Sequence, residues 1–305
     1  MNEQQKEKLK KSVLERYELY KLQSSKLKRI LKDPFRTIPY FIIETIAYIK
    51  PFKINYKTLW GDKMRFYLPE GNAIYYYGFF EANLTNFFIN FFKPGDVFFD
   101  VGAHVGYYSI LASKLIESNG QVHSFEPTPR TFNTLKENAA QKNNITVNNV
   151  AILDKKTEIE FVDYGPKYSA FNSFKDRTSE EMRFLPKPDR MKVQTISLDD
   201  YCKEKTVSPT IIKIDAEGAE HLILQAMGDI LTNIKPIVTI EVAGEEEWAK
   251  NCKDSIDILN KHGYIGYEIN AEGYIKKHTY KENYRYDNLV FVHPENQIRI
   301  EPLIK

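Results

Sequence analysis

Four carboxylates in this chain stand where strand-like runs end: Asp100 in VFFDVGAHVGYYS, Glu126 in HSFEP, Asp215 in IIKIDAEGAE and Glu241 in VTIEVAG. Ligands of open α/β sheets sit just outside the carboxyl ends of the strands, so acids at such positions share one polar rim. Next to the first of them, Gly102 and Gly106 make the pattern D-x-G-x-x-x-G. Glycine lacks Cβ, so the chain can turn sharply there and let a ligand come close. The helix that follows offers free N–H groups and the positive end of its dipole to an anionic group. Glu126 lies 20 residues beyond Gly106, the offset at which an acid accepts hydrogen bonds from the ribose of an adenosine-bearing ligand. A second role open to Glu126 is capping the next helix, with Pro127 and Pro129 breaking the chain. Glu217 and Glu220 follow Asp215 at a helix start, where first-turn acids complement the dipole. That role accounts for Glu220 better than for Asp215, which closes a buried strand.

The elements that must hold these residues alternate in βα order. Strand-like runs cover Val97–Asp100, Gln121–Glu126, Val147–Leu153, Thr210–Asp215 and Pro236–Val242, with helical patterns at Gly106–Ser118, Pro129–Asn143, Gly218–Met227 and Glu245–His262. Such alternation means a parallel sheet covered by helices on both faces. Between Thr157 and Val193 the pattern breaks: strand-like EIEFV is followed by KYSAFNSF and RFLPKP, an extra hairpin or lid in place of a crossover helix. Tyr164–Phe174 is the candidate lid, although its aromatics suit packing on the body equally well. Tyr264–Ile269 and Asn288–His293 flank the turn Ala271-Glu272-Gly273 and suit an antiparallel closure of the sheet. Upstream, residues 3–32 read as one long exposed helix ending near Asp33-Pro34, followed by a short apolar helix over Thr37–Ile49. Tyr56–Tyr77, broken at Gly61-Asp62 and Glu70-Gly71, reads as a small hairpin, and Glu81–Phe92 as a helix. Tyr75–Phe80 (YYYGFF) suits core packing. The organisation is a basic helical extension over 1–55, a main domain over 56–295 and a tail over 296–305.

The chain has 305 residues and a formal net charge of +2, so no global basic field argues for nucleic acid. The first 60 residues carry 14 Lys/Arg against 6 Asp/Glu, leaving a mildly acidic remainder. Two cysteines, Cys202 and Cys252, with no C-x-x-C and no clustered His, argue against structural zinc or a disulfide framework and fit a reducing interior. MNEQQKEKLKK leads into no apolar h-region, and Ile38–Ile49 is shorter than the roughly 20 residues a spanning helix needs. The expectation is a soluble, cytoplasmic protein. Its basic arm, residues 1–50, would serve as a docking helix for a partner or second copy, as a peripheral membrane element, or as a solvated helix; the apolar Ile38–Ile49 needs a cover, most simply its own domain.

The segments DVGAHVGYYS, SFEP, SLDDY, IKIDAEGAE, TIEV and DNLVFV, in that order, resemble the FkbM family of S-adenosylmethionine (SAM)-dependent methyltransferases. The resemblance runs from about Gly61 to His293, with IDAEGAE its most specific segment. It implies an α/β class I methyltransferase (Rossmann-like) fold, a seven-stranded mainly parallel sheet with its last strand antiparallel. It also implies methylation of a hydroxyl on a sugar, glycan or secondary metabolite. Asp100, Gly102 and Gly106 would hold the methionine part of the cofactor and Glu126 the ribose. His104 departs from the asparagine usual there; its imidazole can still donate to the cofactor carboxylate. Several carboxylates also suit a cationic sulfonium. Methyl transfer is an in-line displacement helped by a base on the acceptor hydroxyl, and Asp215 is the first candidate, followed by Glu217 and Glu241. Convergent carboxylates could alternatively hold Mg²⁺, which is not favoured, and no metal ligand is assigned. N-methylation of an amine and a non-catalytic cofactor-binding module stay open. An NAD enzyme would show G-x-G-x-x-G, and this chain has G-A-H-V-G instead.

Overall fold

A computed structural model describes residues 1–174, 184–242, 246–281, 284 and 287–305. Arg183 and Glu245, which begin two of the segments read above, lie outside these. The chain opens with α1 (Glu3–Tyr20), α2 (Lys26–Lys32) and α3 (Pro34–Ile49), so the single helix expected over 3–32 is two. The break has a local cause. The Ser25 side chain accepts from the Lys28 N–H and caps α2, and Asp33 caps α3 in the same way through Arg36 N–H. The arm is also less exposed than its charge suggests. Leu9, Val13 and Leu19 are buried, and Lys6 Nζ donates to the Phe92 carbonyl at 2.9 Å.

Next come an antiparallel hairpin, β1 (Phe52–Lys57) and β2 (Lys63–Leu68), then α4 (Asn72–Tyr77) and α5 (Ala82–Phe91). The hairpin expected to reach Tyr77 therefore stops at Leu68, and the aromatic run turns helical. Tyr76, Tyr77 and Phe79 are buried, as core packing requires, while Phe80 reaches the cavity described below.

The main body follows as β3 (Val97–Val101), α6 (Tyr107–Ile116), β4 (Gln121–Phe125), α7 (Pro129–Ala139) and β5 (Ile145–Asn148). It continues through β6 (Ala151–Ile152), β7 (Glu158–Asp163), β8 (Asp189–Ile196), α8 (Leu198–Lys205), β9 (Ile211–Ile214), α9 (Glu220–Gln225), β10 (Ile237–Val242) and α10 (Glu246–Lys261). It ends with β11 (Ile265–Ile269), β12 (Ile275–Lys277) and β13 (Asp287–Val292). The large sheet has the order β5-β4-β3-β9-β10-β13-β11-β12. β3, β4, β5, β9 and β10 pair in parallel, and β13 runs antiparallel between β10 and β11. This is the α/β sheet expected, with one strand more than seven, because the turn after β11 leads into β12 and not directly into the last strand. The run read as one strand over Val147–Leu153 also divides. β5 ends in the main sheet, while β6 pairs with β8 in a separate three-stranded sheet with β7.

Alternation along the central strands separates two cores. Phe98, Val122, Ile211 and Ile237 face a cluster shared with Leu9, Val13, Phe88 and Leu111, so the N-terminal helices complete the core on that side. Phe99, Phe125, Ile212 and Ile240 face the other, with Leu198, Leu224 and Leu259 from α8, α9 and α10. Ile300 and Leu303 of the C-terminal segment are buried in the first cluster.

Candidate functional site

Register brings the rim together. Val101 pairs with both Phe125 and Ile214, and Ile214 pairs with Ile240. The next residues along, Gly102, Glu126, Asp215 and Glu241, thus leave four neighbouring strands at one level. The cavity beside them is lined by Gly102–Val105, Glu126–Thr128, Ala151–Leu153 and Asp215–Glu217, with Phe125, Phe161 and Ile223 among its apolar walls.

The loop after β3 depends on glycine. Gly102 has φ +72°, and a Cβ there would lie 1.8 Å from the Asp215 carbonyl oxygen. Only a residue without a side chain lets these two strand ends approach so closely. Gly106, at φ +90°, starts α6 against Leu135. Glu126 ties this loop to the next helix: Oε2 accepts from His104 N–H at 3.0 Å and Oε1 from Thr128 N–H at 2.9 Å. Glu126 therefore stands on the cavity wall and braces the turn before α7, whose N-cap is Thr128. Burial raises its pKa, against the pull of His104 and of these N–H donors.

Behind the rim lies a buried charge cluster. Lys213, 2% exposed, places Nζ 3.0 Å from Asp215 Oδ2 and 3.8 Å from Asp100 Oδ1. Asp100 is fully buried and does not line the cavity; it accepts from Ser109 Oγ at 2.5 Å, and burial raises its pKa against the nearby ammonium. Asp215 goes the other way. Burial alone would raise it, but Lys213 and a hydrogen bond with Glu241 hold it below the usual carboxylate value. Burial and the charges of Asp215 and Glu217 push Glu241 well above the usual carboxylate value, in the opposite direction to its hydrogen-bonded neighbour Asp215. Glu81 completes the cluster, accepting from Tyr108 Oη at 2.8 Å and Asn288 Nδ2 at 2.5 Å. Among the described residues no group of three or more His, Cys, Asp or Glu is arranged to hold a metal ion.

A second cluster borders the glycine loop. His104, in left-handed backbone at φ +51°, sets Nε2 3.2 Å from Glu70 Oε1 and 3.1 Å from Ser169 Oγ. Glu70 also accepts from Arg130 Nη1 at 2.9 Å, and Arg130 Nε donates to Asp163. Burial opposes ionisation of Glu70, but His104 and Arg130 win and hold it at about 2. Desolvation pulls the His104 imidazole down, and the hydrogen bond and charge of Glu70 outweigh it, so its pKa is raised. The segment Tyr164–Phe174 covers this corner. Ser169, Asn172 and Phe174 line the cavity, whereas Tyr164 is buried and does not reach it.

Of the acids singled out from sequence, Glu126, Asp215 and Glu217 line the cavity, and Asp100 and Glu241 stand behind it. Glu220 Oε1 accepts from Ala216 and Gly218 N–H, which ties the turn after β9 as a structural acid does. Sequence reading missed Lys213, Glu70, Arg130 and Glu81. A signal for Lys213 was there: a charge inside the apolar run IIKI, two residues before Asp215 and so on the same strand face.

The sequence profile of the methyltransferase FkbM domain matches residues 100–265, from Asp100 through β9 and α10. The chain belongs to the FkbM methyltransferase family. The chain is 26% identical over 154 residues to hexuronic acid methyltransferase AglP of Haloferax volcanii, covering 50% of this chain and 58% of that protein. It is 27% identical over 161 residues to 31-O-demethyl-FK506 methyltransferase FkbM of Streptomyces tacrolimicus, covering 45% and 61%. The match thus spans less than two thirds of either relative. The solved methyltransferase FkbM of Methylobacillus flagellatus is 17% identical, with a TM-score of 0.42, covering 66% of this chain and 44% of that one.

Proposed function

We propose that this chain transfers the methyl group of SAM to a hydroxyl of a sugar, glycan or secondary metabolite. The observation that carries the reading is the meeting, within the matched FkbM domain, of the glycine loop, Glu126 and Asp215 on one cavity. The residues fit the cofactor. Glu126 suits the ribose hydroxyls, the His104 ring and loop suit the methionine end, and the carboxylates of the rim suit a cationic sulfur. Bound there, SAM supplies an electrophilic methyl on a sulfonium. The chain's own residues hold the acceptor in line and accept its proton. Asp215 is the base, ionised because Lys213 stands beside it, and Glu241 shares its hydrogen bond with Asp215 as the negative charge is lost. Glu217, on the cavity wall, is placed to orient the acceptor. The names of the two relatives, a hexuronic acid methyltransferase and an O-demethyl methyltransferase, favour an oxygen acceptor over an amine. The test is incubation with methyl-labelled SAM and fractionated extract. Label in a base-stable ether of a carbohydrate or polyketide fraction supports the reading; label only in amines refutes it.

A further inference from the structure

The apolar helix Pro34–Ile49 is not covered by its own domain on its outer side, contrary to the simplest expectation from sequence. Thr37, Tyr40 and Ala47 face inward, whereas Phe35, Ile38, Ile42, Ile46 and Ile49 point out, Phe35 at 93% and Ile49 at 83% exposure. Spacings of three, four, four and three residues put these five on one stripe of the helix. Leu27 and Leu31 of α2, also exposed, extend the apolar surface. Its border is basic: Lys26, Lys28, Lys32 and Lys50 are exposed. The two acids of this stretch are engaged elsewhere, Asp33 as the cap of α3 and Glu44 with Tyr40 and Asn72.

We infer that the outward face of α2 and α3 docks on an anionic lipid surface. An apolar stripe edged by lysines is the pattern of a helix lying in the bilayer interface, with its side chains in the acyl boundary and its ammonium groups among anionic headgroups. A second copy on the same face would oppose lysine to lysine across a twofold axis. Among the described residues no helix is long and apolar enough to cross a membrane, and α3 itself has 16 residues. α1 is not part of the surface, since it is held in the core. The face ends beside the cavity's cover: Lys167 Nζ sits 4.8 Å from the ring centre of the exposed Tyr48. A docked lipid surface therefore lies next to the segment that carries Ser169 and Asn172.

Sedimentation of the full chain with vesicles tests this. Phosphatidylglycerol-rich vesicles should carry the protein down at low salt, and pure phosphatidylcholine vesicles should not. The variants Phe35→Asp/Ile42→Asp/Ile49→Asp and Lys26→Glu/Lys28→Glu/Lys32→Glu should each lower the bound fraction by about tenfold or more, the first by removing apolar burial and the second by reversing the attraction to anionic headgroups. Both should melt like the parent protein, because the altered side chains are exposed. Absence of binding to the anionic vesicles, or binding that neither variant weakens, overturns the inference. So does a concentration-dependent dimer that the apolar variant abolishes, with no vesicle binding, which would identify a second copy as the occupant.

Discussion

Replacing Lys213 with methionine probes the centre of the site. The ammonium is 2% exposed and stands 3.0 Å from one carboxylate and 3.8 Å from another. Removing one partner from a buried ion pair costs about 3–5 kcal/mol, because the remaining charge is left uncompensated. Methionine fills similar space, so the loss reads electrostatics and not a cavity. The sign with pH follows from the shifts. Lys213 itself is raised, so its contribution is complete below the ordinary lysine value and does not vary at neutral pH. In the parent protein Asp215 is lowered, and its contribution disappears only as pH falls below the ordinary aspartate range. In the variant both acids lose their cation: Asp215, lowered in the parent, rises above its unfolded value, and Asp100, already raised in the parent, rises further. A folded state that binds the extra protons loses stability as pH rises through that window. Urea denaturation of both proteins should therefore show a deficit of about 3–5 kcal/mol at pH 8 and a smaller one at pH 5. A deficit under about 1 kcal/mol, or one equal at the two pH values, would show that Lys213 does not hold these carboxylates in their charged form.

Three further outcomes follow from the same geometry. Asp215→Asn should lower kcat by about 10²–10⁴-fold while SAM still binds, as loss of a general base requires; full activity in a methyl-transfer assay would remove Asp215 from that role. Gly102→Ala should abolish SAM binding by calorimetry and cost at least about 1–3 kcal/mol of backbone strain, since its Cβ would meet the Asp215 carbonyl. Gly61→Ala, at φ +93° in open space, is the control that feels the strain without the collision. Turnover should withstand EDTA, because Lys213, Tyr108 and Asn288 already engage Asp215 and Glu81; loss of activity restored by Mg²⁺ would contradict this.

Much of this arrangement was legible in the sequence because strand ends are marked twice, by an apolar run and by the acid that stops it. Four such marks located β3, β4, β9 and β10 and hence the rim. What escaped was whatever depends on partners far along the chain. Glu70 read as a turn residue beside Gly71, yet its side chain is buried, where Arg130 and His104 neutralise it. Lys213 is tolerated in a buried strand only between two carboxylates that join it from β3 and the end of β9. Boundaries failed where a polar pair interrupts an apolar pattern. Ser24-Ser25 divides the first helix, and β5 stops at Asn148, after which Asn149 leads to β6 with its Nδ2 donating to the carbonyls of Glu126 and Pro127. Periodicity reports which face is apolar; it says nothing of which neighbour arrives to cover it, and for α3 the outer face stays open.

The proposed function rests on SAM occupying the cavity at the ends of β3, β4 and β9. Equilibrium dialysis of the purified chain against labelled SAM, with NAD as competitor, measures it directly. SAM should bind saturably, excess NAD should not displace it, and Glu126→Ala should weaken it. No saturable SAM binding, or displacement by NAD at matched concentration, would contradict it.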